Sequence, residues 1–261
     1  MKKNLLLQFL FSAILFGSCS TYVQIYYLDS KDVSKVNEDF VFENDTVKIS
    51  YFFWAKRGVI AFEIFNKLDK PLYVDWKKSS YIYKDEKLNF WDESESVTTL
   101  GVSRNYLYSG PVYINNRLTL IENGIYASTS KKEKPERITF IPPKSSYSRS
   151  QFHILNFDGY SLPTDIPLQN VISGNTSLKV YNYNVTRNDS LAPQKLFRNF
   201  LTFSLTEDIK DEFYLDNGFF IKSITELSDV DFLTVTGNNL NKNDKFYIEI
   251  PDEKSIYYRK Q

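Results

Sequence analysis

Cys19 is the only cysteine among 261 residues, and it directly follows two small residues, Gly17 and Ser18, at the end of a largely apolar run from Leu5 to Phe16. Small side chains leave the backbone open to a peptidase, and a thiolate is a strong nucleophile. Elsewhere the inventory for chemistry is thin. His153 is the single histidine, so a multi-histidine metal site is excluded and a Ser-His-acid triad has only that residue to use. Its context, Gln151-Phe152-His153-Ile154-Leu155, is strand-like and apolar, and a structurally held imidazole is expected there. Two acidic clusters, Asp92-Glu93-Glu95 and Glu207-Asp208-Asp211-Glu212, have the composition of a glycosidase acid and base. A solvated loop face is the preferred reading, because like charges gather at surfaces unless a site needs them. Asn239 to Asp244 has a hint of calcium-loop spacing but lacks the acidic first ligand and the terminal Glu, so a turn is expected. None of the patterns G-x-S-x-G, G-x-x-x-x-G-K or G-x-G-x-x-G occurs. No catalytic residue, metal site or cofactor is therefore expected, and the chain is not expected to be an enzyme.

The segment that presents Cys19 has the layout of a secretory signal peptide: Met1-Lys2-Lys3-Asn4 is positive, the apolar run follows, and small residues precede the cysteine. At ~1.5 Å per residue that run spans about 18 Å, short of the ~30 Å hydrocarbon core, so a permanent transmembrane helix is the weaker reading. Leu15-Phe16-Gly17-Ser18-Cys19 resembles the lipobox of bacterial lipoproteins. That resemblance implies removal of residues 1–18 and acylation of Cys19, with two or three chains each contributing about 0.8 kcal/mol per buried CH₂ to membrane binding. Ser20 to Gln24 carries no acidic cluster of the kind that resembles a surface-export signal, so the expected address is the outer membrane, facing the periplasm. Asp45-Thr46-Val47 and Asp189-Ser190-Leu191 resemble the O-glycosylation sequon of exported Bacteroidetes-type proteins, which implies glycans on Thr46 and Ser190.

Composition narrows the partners. About 240 residues remain after such cleavage, enough for a substantial core. With one cysteine no disulfide framework exists, so the fold rests on that core. The 32 basic and 32 acidic side chains balance, so no global field attracts nucleic acid or an anionic membrane. The 19 Tyr and 21 Phe favour strands, since flat side chains pack well on a pleated surface.

The elements follow from alternation. Val47, Ile49, Tyr51 and Phe53 alternate with Lys48, Ser50 and Phe52, which predicts a half-buried strand. Ala55-Lys56-Arg57-Gly58 predicts a turn into a second strand with Ile60, Phe62 and Ile64 on one face. Leu72, Val74 and Trp76 predict a third, and strands are further expected at Tyr81–Tyr83, Arg137–Ile141, Ser177–Val185, Phe200–Leu205 and Lys245–Ile250. Asp216-Asn217-Gly218 predicts a hairpin between Phe213-Tyr214-Leu215 and Phe219-Phe220-Ile221. Ser255 to Tyr258 is read as a brief edge pairing, and Tyr22 to Leu28 as a first strand or an ordered tether.

The stretch FEIFNKLDKPLYVDWKKSSYI, through Asn66, Asp69, Pro71, Leu72, Val74, Asp75, Trp76 and Ser79, resembles a family of Bacteroidetes-type lipoproteins. More loosely it resembles immunoglobulin-like sandwich domains of the late-embryogenesis-abundant type. FRNFLTFSLTEDIKDEFYLDNGFFIKSITEL resembles the same lipoprotein family. These are packing and turn residues, so the resemblance implies a fold and no active site. The expected organisation is a leader over 1–18, an anchored segment and tether over 19–39, and an all-β, elaborated immunoglobulin-like β-sandwich over 40–261. That sandwich has eight to ten strands and a long loop insertion at about 93–136.

Binding remains as a role. Trp91, in the polar insertion, with Tyr106 and Tyr108 nearby, is the expected contact surface, whereas Trp76 alternates into the core. An anchored interaction or structural module with an envelope protein partner is the first expectation, and a glycan-binding or polysaccharide-processing lipoprotein the alternative.

Overall fold

A computed structural model describes residues 22–92, 111–114, 117–120, 136–155, 157–173, 176–186, 188–189, 191, 196–236 and 243–260. In chain order the strands are β1 (Tyr22–Asp29), β2 (Ser34–Val36), β3 (Asp39–Glu43), β4 (Val47–Phe52), β5 (Val59–Asn66), β6 (Leu72–Asp75), β7 (Ser80–Tyr83) and β8 (Glu86–Asn89). They continue with β9 (Pro111–Ile114), β10 (Arg117–Leu120), β11 (Ile138–Ile141), β12 (Ser146–His153), β13 (Gln169–Ser173), β14 (Thr176–Asn184), β15 (Phe197–Ser204), β16 (Glu212–Ser228) and β17 (Lys245–Ile250). Two short helices, α1 (Asp229–Thr236) and α2 (Ile256–Arg259), complete the described elements with a 3₁₀ turn at Asp252–Lys254.

The fold is all-β and sandwich-like, its antiparallel sheets curled into a half-barrel. The larger sheet runs β11-β6-β15-β16-β1-β17, with β7, β8, β13 and β14 attached beside this path, and the smaller runs β12-β5-β4-β3-β2. Among the described residues β9 and β10 pair with each other only. The predicted alternation decides what each sheet turns inward: Val47, Ile49, Tyr51 and Phe53 are buried, as are Ile60, Phe62 and Ile64 one strand over. Opposite them the larger sheet supplies Leu72, Val74, Trp76, Phe197 and Phe219. Phe219 is the hub, its ring 4.8 Å from Tyr51, 4.9 Å from Phe53, 5.3 Å from Phe40 and 5.3 Å from Phe197. Each such fully buried ring contributes on the order of 1.5–3 kcal/mol of apolar burial. Trp76 is buried as its alternation predicts, and its indole donates to Thr139 Oγ1 at 2.8 Å. The predicted turn at Ala55–Gly58 is present, with Arg57 and Gly58 both at positive φ and Gly58 N–H donating to the Ala55 carbonyl. A side chain at Gly58 would meet Phe246 and Ile154 at 2.8 Å, so the position needs glycine for space as well as for backbone conformation.

Four expectations are corrected. Asn217-Gly218 makes no hairpin: β16 runs unbroken for 17 residues, with Asn217 opposite Asn199 and Gly218 opposite Arg198 on β15. The turn signal loses because Asn217 is buried and donates to the Tyr51 hydroxyl at 2.7 Å, while Gly218 N–H donates to Asp32 and its carbonyl accepts from Ser30 Oγ. Tertiary partners thus satisfy in extended form the groups that a turn would otherwise bond. The domain begins before residue 40, since β1 lies inside the larger sheet between β16 and β17, and β2 pairs with β3. Ser255 to Tyr258 does not pair as an edge: Ser255 caps α2, accepting from Tyr257 N–H. Strands number seventeen among the described residues, because β2, β8, β12 and β13 carry little apolar alternation and become strands through their neighbours.

Candidate functional site

The outer face of the larger sheet carries two surfaces that the core does not use. Cross-strand register places Phe140, Tyr73 and Ser204 in one row, Thr202 and Tyr214 in the next, and Phe200 with Asp216 in a third. Tyr214 is 67 % exposed and stacks on Phe200 at 5.2 Å, and Phe140 is 50 % exposed against the edge of Tyr73 at 5.6 Å. Arg198 Nη1 donates to Asp216 Oδ2 at 2.5 Å beside the stacked pair, and Lys78 pairs with Glu212 at the margin. This is an aromatic strip flanked by polar groups, and it lies on rigid strands.

Past a bulge opposite Tyr27 and Leu28, the same face of β16 continues as Ser223, Thr225 and Leu227. There β14 pairs with β16 and the β13–β14 hairpin extends the sheet, whose curl leaves an open cleft of about 400 Å³ between Ile25, Tyr27 and Leu227 on one side and Val171, Leu178 and Val180 on the other. Among the described residues no charged side chain lines it. Two of its polar groups are bonded: Thr225 Oγ1 donates to Asn182 Oδ1 at 2.6 Å, and Asn182 Nδ2 donates to Gln169 at 2.8 Å, while Tyr27, Ser173 and Ser223 also line it. Beside the cleft, Phe232 of α1, Trp54 and Tyr247 form a second apolar cluster with Val23 and Ile25.

Beneath the cleft, on the inner face, sits a buried polar network. Glu226 accepts from Ser255 Oγ at 2.7 Å, Ile256 N–H at 2.8 Å and Gln24 Nε2 at 2.9 Å. Gln24 also donates to the Tyr160 carbonyl at 2.6 Å and accepts from Tyr160 N–H and from the Tyr26 hydroxyl. Burial pushes the Glu226 carboxyl above the usual range, against the pull of its hydrogen bonds and of Arg259. These contacts tie the C-terminal helix and the Gly159-Tyr160 loop to the sheet. Every carboxylate and amide oxygen in them is occupied by a protein donor, which suits a structural role.

The residues singled out from sequence fall in several places. Cys19, Tyr106, Tyr108 and Ser190 lie outside the described residues, as do Glu93 and Glu95. Trp91 is not an exposed platform: its ring is half-buried, packed against the core, with the Lys77 ammonium 5.4 Å above it. Apolar area on a loop root packs down when the sheet below offers it a face. Thr46 sits half-exposed in a turn where Asn44 Oδ1 accepts from Thr46 N–H at 2.9 Å and from Val47 N–H at 2.8 Å. Asp189, the acidic member of the other sequon, accepts from the Tyr183 hydroxyl at 2.6 Å, from Thr186 N–H and Oγ1, and from Tyr160. Burial raises the Asp189 carboxyl, and these bonds outweigh it and hold the group below its usual range, while burial and Asp189 push the Tyr183 phenol up to about 12.

His153 lies at a bulge of β12, its Nδ1 3.2 Å from the Gly58 carbonyl. Asp208 pairs with Lys210 and Glu212 with Lys78, so that acidic cluster is a paired surface. Asp244 binds Lys35 at 2.5 Å. Among the described residues no group of three or more His, Cys, Asp or Glu stands close enough to hold a metal ion, and no helix is long and apolar enough to cross a membrane.

Sequence reasoning missed the aromatic strip, although Tyr214 and Phe200 were visible as the polar-face partners of alternating strands. Their exposure depends on nothing packing over that half of β16, which pattern alone does not reveal. Compared with family models, with curated proteins and with solved structures, the chain shows no match.

Proposed function

We propose that this chain is a non-catalytic, lipid-anchored protein of the cell envelope, held at the outer membrane on its periplasmic side and binding an envelope protein through the aromatic strip. The observation that carries the binding role is the exposure of Tyr214 and Phe140 on the outer face of paired strands, each ring held by a neighbour. Exposed aromatics pre-ordered in this way lose little side-chain entropy on contact and are the residue types that dominate interface energetics. The anchor rests on Leu15 to Cys19, and β1 starts three residues later, at Tyr22. Crosslinking in the native envelope should return one stoichiometric partner that Tyr214→Ala removes. Return of many proteins in sub-stoichiometric amounts, unchanged by Tyr214→Ala, would refute the surface. Cys19→Ser should release the chain from the membrane fraction, and unchanged fractionation refutes the anchor. On native protein, hexose increments on Thr46 and Ser190 in intact-mass spectra test the proposed O-glycans.

A second reading is glycan binding by the same strip. It is favoured by the Phe200–Tyr214 stack, tilted by only 23°, with the Arg198–Asp216 pair alongside, which offers a flat apolar face next to hydrogen-bonding groups. A glycan array with Tyr214→Ala as control separates the two, since a protein-specific surface gives no sugar signal.

A further inference from the structure

We propose that the cleft between the β13–β14 hairpin and β1 takes one fatty-acyl chain of a lipid from the membrane to which this protein is anchored. Among the described residues no charged side chain lines the cleft, Thr225 and Asn182 are bonded to each other and to Gln169, and six of the other nine lining residues are aliphatic: Ile25, Val171, Ile172, Leu178, Val180 and Leu227. A ligand without polar groups along its length loses nothing in such a place and removes apolar surface from water. The size fits: a dry cavity of about 150 Å³ holds a benzene ring, and this cleft has about 400 Å³.

Position supplies the source. β14 runs antiparallel to β16 with Tyr181 opposite Glu226, so the hairpin tip projects beyond the Ser228 end of β16. Tyr22 pairs with Ser228 at that same end, and α1 begins directly after it. Three large apolar side chains are bare there: Ile172 at the tip is 79 % exposed, and Val230 and Leu233 on α1 are both 68 % exposed. Cys19 precedes Val23 by four residues, about 13 Å of extended chain. An acylated Cys19 therefore holds the mouth of the cleft and its apolar rim close to the bilayer surface. This route of entry rests on the lipid-anchor reading, whereas the chemistry of the cleft does not.

The test uses the chain secreted behind a cleavable leader in place of residues 1–18 and carrying Cys19→Ser, which keeps every described residue. Titration with 11-(dansylamino)undecanoic acid should show saturable uptake of one probe per chain, displaced by oleate. Ile172→Asp, at an exposed position that leaves the melting temperature unchanged, should weaken uptake roughly ten-fold or more by placing a charge at the mouth. Tyr214→Ala, on the other half of the sheet face, should leave it unchanged. Absence of saturable uptake, or uptake indifferent to Ile172→Asp, overturns the proposal. The acylated wild-type chain, exchanged from detergent into amphipol, should take up the probe equally. Uptake by the Cys19→Ser chain alone would mean that the protein's own anchor fills the cleft, and would overturn the membrane lipid as the source. If mass spectrometry finds wild-type Cys19 unmodified while the probe still binds, the anchor fails and the acyl-chain site stands.

Discussion

The two halves of β16 share one strand and one outer face, yet they present different surfaces. Over its first half, beside β15, the outer face carries the exposed Tyr214 stacked on the half-buried Phe200. Over its second half, between β1 and β14, the curled sheet and the β13–β14 hairpin frame an open cleft with no charged lining among the described residues, and Phe232 of α1 packs beside it. The inner faces differ as well: under the first half lies the aromatic hub around Phe219, with the Asn217–Tyr51 hydrogen bond inside it, and under the second half lies the Glu226 network.

The sharpest way to break this comparison is to remove the hub. Phe219→Ala should cost about 3–5 kcal/mol, the range for an aromatic deleted from a packed core, read as a lower urea midpoint at unchanged m-value. A loss below about 1 kcal/mol would mean that the first half of β16 does not rest on that ring. Next comes the continuity of the strand. Asn217→Ala strips a partner from the buried Tyr51 hydroxyl and should cost about 1–3 kcal/mol, with amide exchange at Asn217 and Gly218 accelerating more than at Thr225. Equal acceleration would argue that the two halves unfold as one unit.

A third test uses pH. Because burial raises the folded-state Glu226 carboxyl above its unfolded value, the folded chain holds that proton more tightly. Its contribution is greatest below the ordinary carboxylate value of about 4.3 and is lost as pH rises through the raised folded value. Glu226→Gln should flatten that part of the stability profile, while leaving the Phe219 hub untouched. A profile identical to wild type would show that Glu226 does not titrate differently on folding. The smallest effect belongs to the outer face itself. Tyr214→Ala and Ile172→Asp should each change stability by no more than about 0.5 kcal/mol, while each abolishes or weakens binding at its own surface only. Binding loss at both surfaces from either change would merge the two halves into one site.

What was legible in the sequence follows this division. β4, β5 and β6 could be read residue by residue, because one face of each is buried and period-two alternation records that directly. The bare strip could not be read as a surface, since Phe200 and Tyr214 look the same in sequence whether or not something packs over them. Trp91 misled for the converse reason: a polar neighbourhood in sequence says little about an indole that the core below can accept.

Local pattern by itself determined the all-β class, the inward faces of the clearest strands, the turn at Ala55–Gly58 and the absence of any disulfide framework, because each depends on residue types within a few positions. Tertiary structure alone decided that Asn217-Gly218 stays extended, that β1 belongs inside the sheet rather than in a tether, and that the β13–β14 hairpin joins the second half of β16 to frame an open cleft. Those outcomes depend on partners far apart in the chain, such as Tyr51 for Asn217 and Ser255 for Glu226, and no local propensity carries information about a hydrogen bond that only folding brings within reach.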